Sequence, residues 1–289
     1  MTWKLFGLLG YPVAHSFSPD LMNTLARRHG FHFGYHAFSV PPEQLEMFFE
    51  AVRLLPVHGF NVTAPHKRAV VRYCEIRSEA VALTGASNCV VNRDGRLEAH
   101  NTDVPGFLWG LKHFSFAGTS KAALLLGAGG AARAVAFALA EAGFEEVAIA
   151  SRNPAREAEW RKECPQLFGR VRLRFFPWEE ELLIRSLKTV QLVVQCTPVG
   201  TWPHSGDVVP FPFEHLGPEH AVYDLVYNPP QTEFLRRAEA QGAAVQNGLA
   251  MLAAQAAEAL KLWGYSVSPR EARNVLQELL PAGQTKSKL

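Results

Sequence analysis

The sequence predicts an α/β protein built as two domains, and three observations carry that expectation. A strand, a glycine turn and a helix follow one another in Ala122 to Arg133, AALLLGAGGAAR. The chain has 289 residues, long for a single core. Its first hundred or so residues carry alternating strand and helix patterns of their own, without a nucleotide fingerprint.

The glycine stretch sets the frame. Ala122 to Leu126 is a short apolar run, the pattern of a strand buried on both faces. It stops at Gly127-Ala128-Gly129-Gly130, and Ala131 to Ala142 is Ala-rich with helical spacing. Gly127 permits the tight turn, Gly129 lets backbone approach a pyrophosphate, and Ala132 takes the close-packing third position of GxGxxG/A. The helix start adds unpaired N–H groups and the positive end of its dipole. A buried Ala/Gly-rich unit that binds nothing would share this composition, but the flanking strand and helix favour dinucleotide binding.

In chain order, Lys4 to Leu9 reads as a strand. Ser18 or Asp20 can cap a helix running to His29. Tyr35 to Val40 alternates as a strand, and Pro42 to Leu55 is helical with Leu45, Phe48, Phe49 and Val52 on one face. Val57 to Val62 is the next strand, and a helix is expected over about Arg68 to Cys74. Ala86 to Asn92 and Leu97 to His100 form a hairpin around Asp94-Gly95, and Pro105 to His113 is helical. Beyond the glycine turn, Glu146 to Ala150, Val190 to Gln195, Ala221 to Val226 and Ala244 to Gln246 read as strands of a parallel Rossmann sheet, with a helix over Gln231 to Gln241. Gly248 to Trp263 and Ser268 to Leu280 read as two closing helices.

Composition excludes several classes. A formal charge of +2 gives no reason to expect nucleic acid or a membrane surface as partner. The Arg-rich stretch Arg152 to Arg174 is interrupted by glutamates and reads as a solvated face. Cys74, Cys89, Cys164 and Cys196 form no CxxC pair, which argues against a zinc site or a disulfide framework and suits a reducing cytosol. No secretory signal or apolar span is expected, and the terminal Ser287-Lys288-Leu289, which matches a peroxisomal address, is read as a chance polar tail.

At the end of the second nucleotide strand an NAD site would place an acidic residue for the ribose 2′-hydroxyl. Here stand Ser151-Arg152-Asn153, with Arg156 one helical turn on. A guanidinium suits the 2′-phosphate of NADP, so NADP is the expected cofactor.

The chain resembles shikimate dehydrogenase of the bacterial single-function type along nearly its whole length. The resemblance rests on Ser16-Phe-Ser18, Asn61-Val-Thr-Ala-Pro-His-Lys67, Gly85-Ala-Ser-Asn88, Asn101-Thr-Asp103, Gly127 to Ala131, Thr197-Pro-Val-Gly200, Asp224-Leu-Val-Tyr227 and Gly248-Leu-Ala-Met251 with Gln255. It implies NADPH-dependent reduction of 3-dehydroshikimate to shikimate in aromatic amino-acid (chorismate) biosynthesis, with Lys67 and Asp103 as the catalytic pair. An ammonium can stabilise charge on the ketone oxygen and deliver a proton, and a carboxylate can hold it in place. Whether that carboxylate or burial dominates the charge of Lys67 stays open at this level.

By the same resemblance, Ser16 and Ser18 would bond the substrate carboxylate, and Asn61, Thr63, Asn88, Tyr227 and Gln255 its hydroxyls or carboxylate. Gly127, Ala128, Gly129, Gly130, Ala131, Ser151, Arg152, Asn153, Arg156, Thr197, Leu225, Gly248 and Met251 would line the cofactor, with Glu79 near the nicotinamide; no metal is expected. The family's usual Asn-Arg-Thr at the 2′-phosphate is here Ser151-Arg152-Asn153. The implied organisation is a substrate domain over 1–105, a Rossmann domain over 106–247, and helices over 248–289 that return to the substrate domain, with a cleft between the two. The implied partners are shikimate or 3-dehydroshikimate, with no nucleic acid or membrane, in a cytoplasmic monomer or homodimer. The rivals are a quinate/shikimate dehydrogenase of relaxed specificity and a catalytically silent NADP sensor.

Overall fold

The computed structural model describes residues 2–14, 16–115 and 118–280. The terminal Ser287-Lys288-Leu289 lies outside them. The chain divides into two compact units, Met1–Gly106 with Ala253–Leu279, and a second containing Phe107–Leu252. The division falls inside the first closing helix rather than at its start, so Gly248 and Met251 belong to the second unit and Gln255 to the first.

The first unit opens with β1 (Lys4–Gly10), α1 (Ser18–His29), β2 (Phe33–Ser39), α2 (Leu45–Leu54) and β3 (Val57–Val62). It continues with β4 (Ile76–Arg77), α3 (Glu79–Thr84), β5 (Cys89–Arg93) and β6 (Arg96–His100), and α4 (Asp103–Lys112) leads out. Its sheet has six strands in the order β2-β1-β3-β5-β6-β4. β1 pairs parallel with both β2 and β3, so it is shielded on both sides and its last five residues are buried. The β5–β6 hairpin turns on Asp94 (φ 54°) and Gly95 (φ 87°), two left-handed residues as a type I′ turn requires. On α2, Leu45, Phe49 and Val52 are buried, and Phe49 meets Phe60 of β3 at 5.9 Å between ring centroids.

Three local expectations are corrected here. Neither Ser18 nor Asp20 caps α1: Phe17 takes the cap position and Ser18 is the first helical residue. Residues 69–73 form a 3-10 turn rather than an α-helix. The short β4 and α3 were not expected, although Ser78 caps α3 through its hydroxyl and Gly85 (φ 61°) ends it.

The second unit holds β7 (Ala122–Leu126), α5 (Gly130–Glu141), β8 (Glu146–Ser151), α6 (Arg156–Glu163), β9 (Arg172–Pro177), α7 (Glu180–Leu187), β10 (Leu192–Gln195), β11 (Ala221–Asp224), α8 (Glu233–Ala240) and β12 (Ala244–Gln246). All neighbours pair parallel in the order β12-β11-β10-β7-β8-β9. The stretch read from charge as a solvated face thus also supplies α6 and the edge strand β9, whose Arg172 and Arg174 reach Glu146 at 2.8 and 3.3 Å. The chain builds outward from β7 to β9, then returns to place β10 on the other side of β7. That reversal makes the carboxyl ends of β7 and β10 the crevice where open α/β sheets bind ligands.

α9 (Leu249–Leu262) carries the chain back into the first unit, and α10 (Pro269–Leu279) ends it. Trp263 stacks on Phe6 of β1 at 4.5 Å, and its indole donates to the Val90 carbonyl at 3.2 Å. Gly59 of β3 makes this approach possible, since a Cβ there would lie 2.5 Å from Trp263 Nε1. α10 is tied to α1 by the ion pair Arg28–Glu278 and by a hydrogen bond between the His29 ring and Glu271 at 2.7 Å.

Candidate active site

In the first unit, polar side chains collect at the carboxyl end of β3 and the turns beside it. Thr63 directly follows β3, donates its backbone N–H to Leu9 and accepts that of His66, starting the turn that delivers Lys67. Ser87 donates its backbone N–H to the Lys67 carbonyl at 2.7 Å, which fixes that turn to the segment before β5. Lys67 Nζ then lies 2.6 Å from Asp103 Oδ2, with side chains 21% and 7% exposed respectively. A cation reached by solvent and a carboxylate buried behind it is the polarity a proton donor needs.

Neutral amides surround the pair. Asn88, 3% exposed, donates to Asp103 Oδ1 at 2.8 Å and accepts the Thr102 N–H at 2.6 Å. Gln255 Oε1 accepts from Asn88 Nδ2 and from the Thr102 hydroxyl, both at 3.3 Å. Asn61 donates to the Asn88 carbonyl at 3.2 Å, and the Tyr35 hydroxyl donates to Asn61 Oδ1 at 2.9 Å. Burial pushes the Tyr35 phenol well up, which keeps it a donor. Cys89 lies buried behind the cluster, its thiol raised first by burial and then by the charge of Asp103.

Of the expected substrate residues, Asn61, Lys67, Asn88, Asp103 and Gln255 fall in this one bonded network. Ser16 and Ser18 stand together, the Ser16 hydroxyl accepting the Ser18 N–H at 3.2 Å. Tyr227 is carried by the second unit, half-buried after β11. Glu79 is exposed on the first turn of α3.

In the second unit the glycine turn fits a dinucleotide. Gly127 is left-handed (φ 106°), and a Cβ on it would sit 2.9 Å from Thr197 Cγ2. A Cβ on Gly129 would meet nothing within 4 Å, so the space over that backbone is open. Ala128 and Ala132 are buried, and the first N–H groups of α5, over Gly130 and Ala131, have no helical acceptor. At the end of β8, the Ser151 hydroxyl donates to the Asn153 carbonyl at 3.1 Å and accepts the Asn153 N–H at 3.2 Å, shaping the loop that holds Arg152. Arg152 is exposed with no ion pair among the described residues, whereas Arg156 is already bound to Glu159 at 2.6 Å. Of the two arginines, Arg152 is therefore the one not engaged in an ion pair among the described residues.

Nearby, Leu225 donates its N–H to the Gln195 carbonyl, and Thr197 accepts from Val199. Met251 is buried on α9. The carbonyl of Leu225 lies 2.0 Å from where a Gly248 Cβ would be, so only glycine lets these two segments meet. Asp224 is buried, bonded by the Thr232 hydroxyl at 2.6 Å and the Val226 N–H at 3.0 Å; burial still raises its carboxyl to about 6.

Sequence reasoning missed Tyr35, Thr102, Gln195 and Asp224. Thr102 and Asp224 stood inside quoted motifs without a role. Gln195, a buried amide ending an apolar strand, was a readable signal. Tyr35 looked like any alternating strand residue.

A parallel sheet whose glycine turn suits a dinucleotide, with an exposed arginine at the end of β8, and a lysine–carboxylate cluster on the first unit define an NADP-dependent oxidoreductase. Comparison with known proteins narrows the class. The family model of the shikimate dehydrogenase substrate binding domain matches residues 8–90. The chain is 39% identical to the NADP(+) shikimate dehydrogenase of Desulforamulus reducens over 97% of both chains. It is similar to the Thermus thermophilus shikimate 5-dehydrogenase solved with NADP(H) and shikimate, at TM-score 0.80 and 38% identity, covering 95% of this chain and 99% of that one. It also matches the Corynebacterium glutamicum quinate dehydrogenase solved with NAD, at TM-score 0.85 and 27% identity over 96% and 99%. The chain belongs to the shikimate dehydrogenase family.

Proposed function

We propose that this protein catalyses the reversible NADPH-dependent reduction of 3-dehydroshikimate to shikimate, a step of aromatic amino-acid biosynthesis. The observation that carries the reading is Lys67 Nζ at 2.6 Å from Asp103 Oδ2 inside a buried net of neutral amides. Bound NADPH supplies the hydride. As the ketone carbon is reduced, negative charge grows on its oxygen, and the Lys67 ammonium stabilises that charge and gives up a proton to form the hydroxyl. In oxidation the Lys67 amine takes the hydroxyl proton back. Asp103 holds the ammonium in line throughout.

The hydroxyls of Ser16 and Ser18 suit the substrate carboxylate, and the amides of Asn61, Asn88 and Gln255, with Thr63 and Tyr227, suit its hydroxyls. A small polyhydroxy acid demands such a dense set of neutral donors and acceptors. Gly127 to Ala131 would receive the pyrophosphate, and Ser151, Arg152 and Asn153 the 2′-phosphate. Thr197, Leu225, Gly248, Met251 and Glu79 would flank the rest of the cofactor. We assign the first unit to substrate and the second to NADP, in a cytoplasmic monomer or homodimer with no nucleic-acid partner. No helix among the described residues is long and apolar enough to cross a membrane.

Similarity to a quinate dehydrogenase favours a second reading, an enzyme that also accepts quinate or NAD. Quinate carries an extra hydroxyl on the carbon bearing its carboxylate, where Ser16 and Ser18 would bind. Both serines, and an unpaired Arg152 where NAD sites hold an acid, support the shikimate and NADP assignment. A silent sensor would be expected to lack Lys67 or Asp103. The deciding experiment measures initial rates with shikimate or quinate, each with NADP or NAD. Turnover confined to shikimate with NADP supports the proposal, comparable rates with quinate or NAD support the relaxed enzyme, and silence in all four supports the sensor.

A further inference from the structure

Trp160 belongs to no motif, yet it joins the glycine turn to the helix that follows the 2′-phosphate loop. It lies on α6, fully buried, and its indole Nε1 donates to the Ala128 carbonyl at 3.2 Å. The ring is gripped from two sides. Phe175 of β9 meets it edge-on at 5.1 Å, and the Arg133 guanidinium of α5 lies 5.4 Å from its centroid. Arg133 is itself buried and bonded to Glu163, also on α6, at 2.8 Å. Held this way, the indole N–H has one direction.

That direction matters because of the peptide it grips. In a trans peptide the carbonyl and the following N–H point opposite ways. With the Ala128 carbonyl drawn toward α6, the Gly129 N–H points away from α6. The neighbouring groups of the turn are already committed: Gly127 donates to the Ala150 carbonyl at 2.9 Å, and the Gly129 carbonyl accepts from Arg133 N–H at 3.2 Å. Of the two peptides between these groups, Ala128–Gly129 is the one whose carbonyl the indole holds, and its rotation is set by that bond.

We propose that Trp160 is a positioning residue for the dinucleotide: its N–H presets the Ala128–Gly129 peptide so that the Gly129 N–H meets the pyrophosphate. The proposal rests on the reading of this unit as an NADP site. Without the indole donor, the carbonyl of Ala128, a residue only 7% exposed, is buried without its partner. Rotating the peptide relieves that penalty and takes the Gly129 N–H off the ligand, so affinity falls through lost preorganisation. The pyrophosphate is common to NADP and NAD, so both lose equally. This separates Trp160 from Arg152, which faces a phosphate that only NADP carries.

Calorimetric titration of NADP, and separately of NAD, into wild type, Trp160→Phe and Arg152→Ala tests this. Trp160→Phe should raise both dissociation constants by the same factor, about tenfold, and Arg152→Ala should raise that of NADP alone. A Trp160→Phe protein with wild-type affinity for both, or weakened for NADP only, overturns the proposal. Wild type that binds neither dinucleotide overturns the NADP reading itself, a result distinct from a variant indifferent to the change. Should the variant not fold, the wild-type protein suffices, with the Trp160 indole N–H resonance assigned through its contacts to Ala128. It should exchange slowly with solvent and shift on saturation with NADP and with inorganic pyrophosphate; a resonance unmoved by saturating NADP overturns the proposal.

Discussion

Asn88 Nδ2 lies 2.8 Å from Asp103 Oδ1 while Lys67 Nζ lies 2.6 Å from Oδ2, so one carboxylate is held from both oxygens. The Thr102 backbone N–H can only donate, and it reaches Asn88 Oδ1 at 2.6 Å. The Asn88 amide is therefore oriented with its NH₂ toward Asp103, as a carboxylate acceptor requires. The ammonium is aimed by a chain of bonds that ends in backbone rather than in solvent.

If Lys67 donates the proton as proposed, Lys67→Ala should abolish that step and leave the dinucleotide unit intact. Turnover should fall by roughly 10²- to 10⁴-fold, with the NADP dissociation constant unchanged by calorimetry. An equal loss of NADP affinity would instead make Lys67 a positioning group.

Arg152→Ala should weaken NADP by about 10- to 100-fold, the range for a charge-assisted bond to phosphate, and leave NAD unaffected. Arg156→Ala should matter less, because its guanidinium already serves Glu159 at 2.6 Å. Steady-state KM values for both cofactors decide this, and a larger effect at Arg156 would reassign the 2′-phosphate.

Asp224 should make stability fall with rising pH. Its folded carboxyl is raised from 3.8 to about 6 by burial, so between those values the folded protein holds a proton that the unfolded chain has lost. Stability attributable to this group is present below pH 3.8 and lost as pH climbs through about 6, by an amount on the order of 2–3 kcal/mol at most. Thermal unfolding followed from pH 5 to pH 7 should show Asp224→Asn losing less stability than wild type over that window. Parallel curves would refute the assignment.

Gly248→Ala should disrupt the approach of the β11 loop to α9. The new Cβ would lie 2.0 Å from the Leu225 carbonyl oxygen, and backbone cannot give as a flexible side chain can. A loss of about 1–3 kcal/mol, the usual range for overpacking, should appear as a lowered Tm. A variant as stable as wild type would mean that the loop relaxes freely.

Legibility differed by element for physical reasons. The strand Ala122–Leu126 was readable to the residue because a central parallel strand is apolar on every position, and the glycines mark its end. The Asp94-Gly95 hairpin was readable because few residue pairs tolerate two positive φ values. β9 was not readable: Arg172-Leu173-Arg174 alternates, but Phe175 and Phe176 follow side by side and break the period of two within a six-residue edge strand. The helix expected near Arg68 became a 3-10 turn, as a segment this short has little of its own to fix the backbone.

Among the candidate site residues, local chemistry singled out Gly127, Gly129 and Arg152, because a turn, a close approach and a 2′-phosphate each ask for one residue type in one place. The sequence by itself thus determined the fold class, the dinucleotide unit and, through shared motifs, the family. Only tertiary structure decided that Asn88, Thr102 and Gln255 converge on Asp103, that Arg156 is taken by Glu159, and that Trp160 grips the glycine turn. Such contacts join residues far apart in the chain, and hydrogen bonds and ion pairs depend on distances that no local pattern encodes.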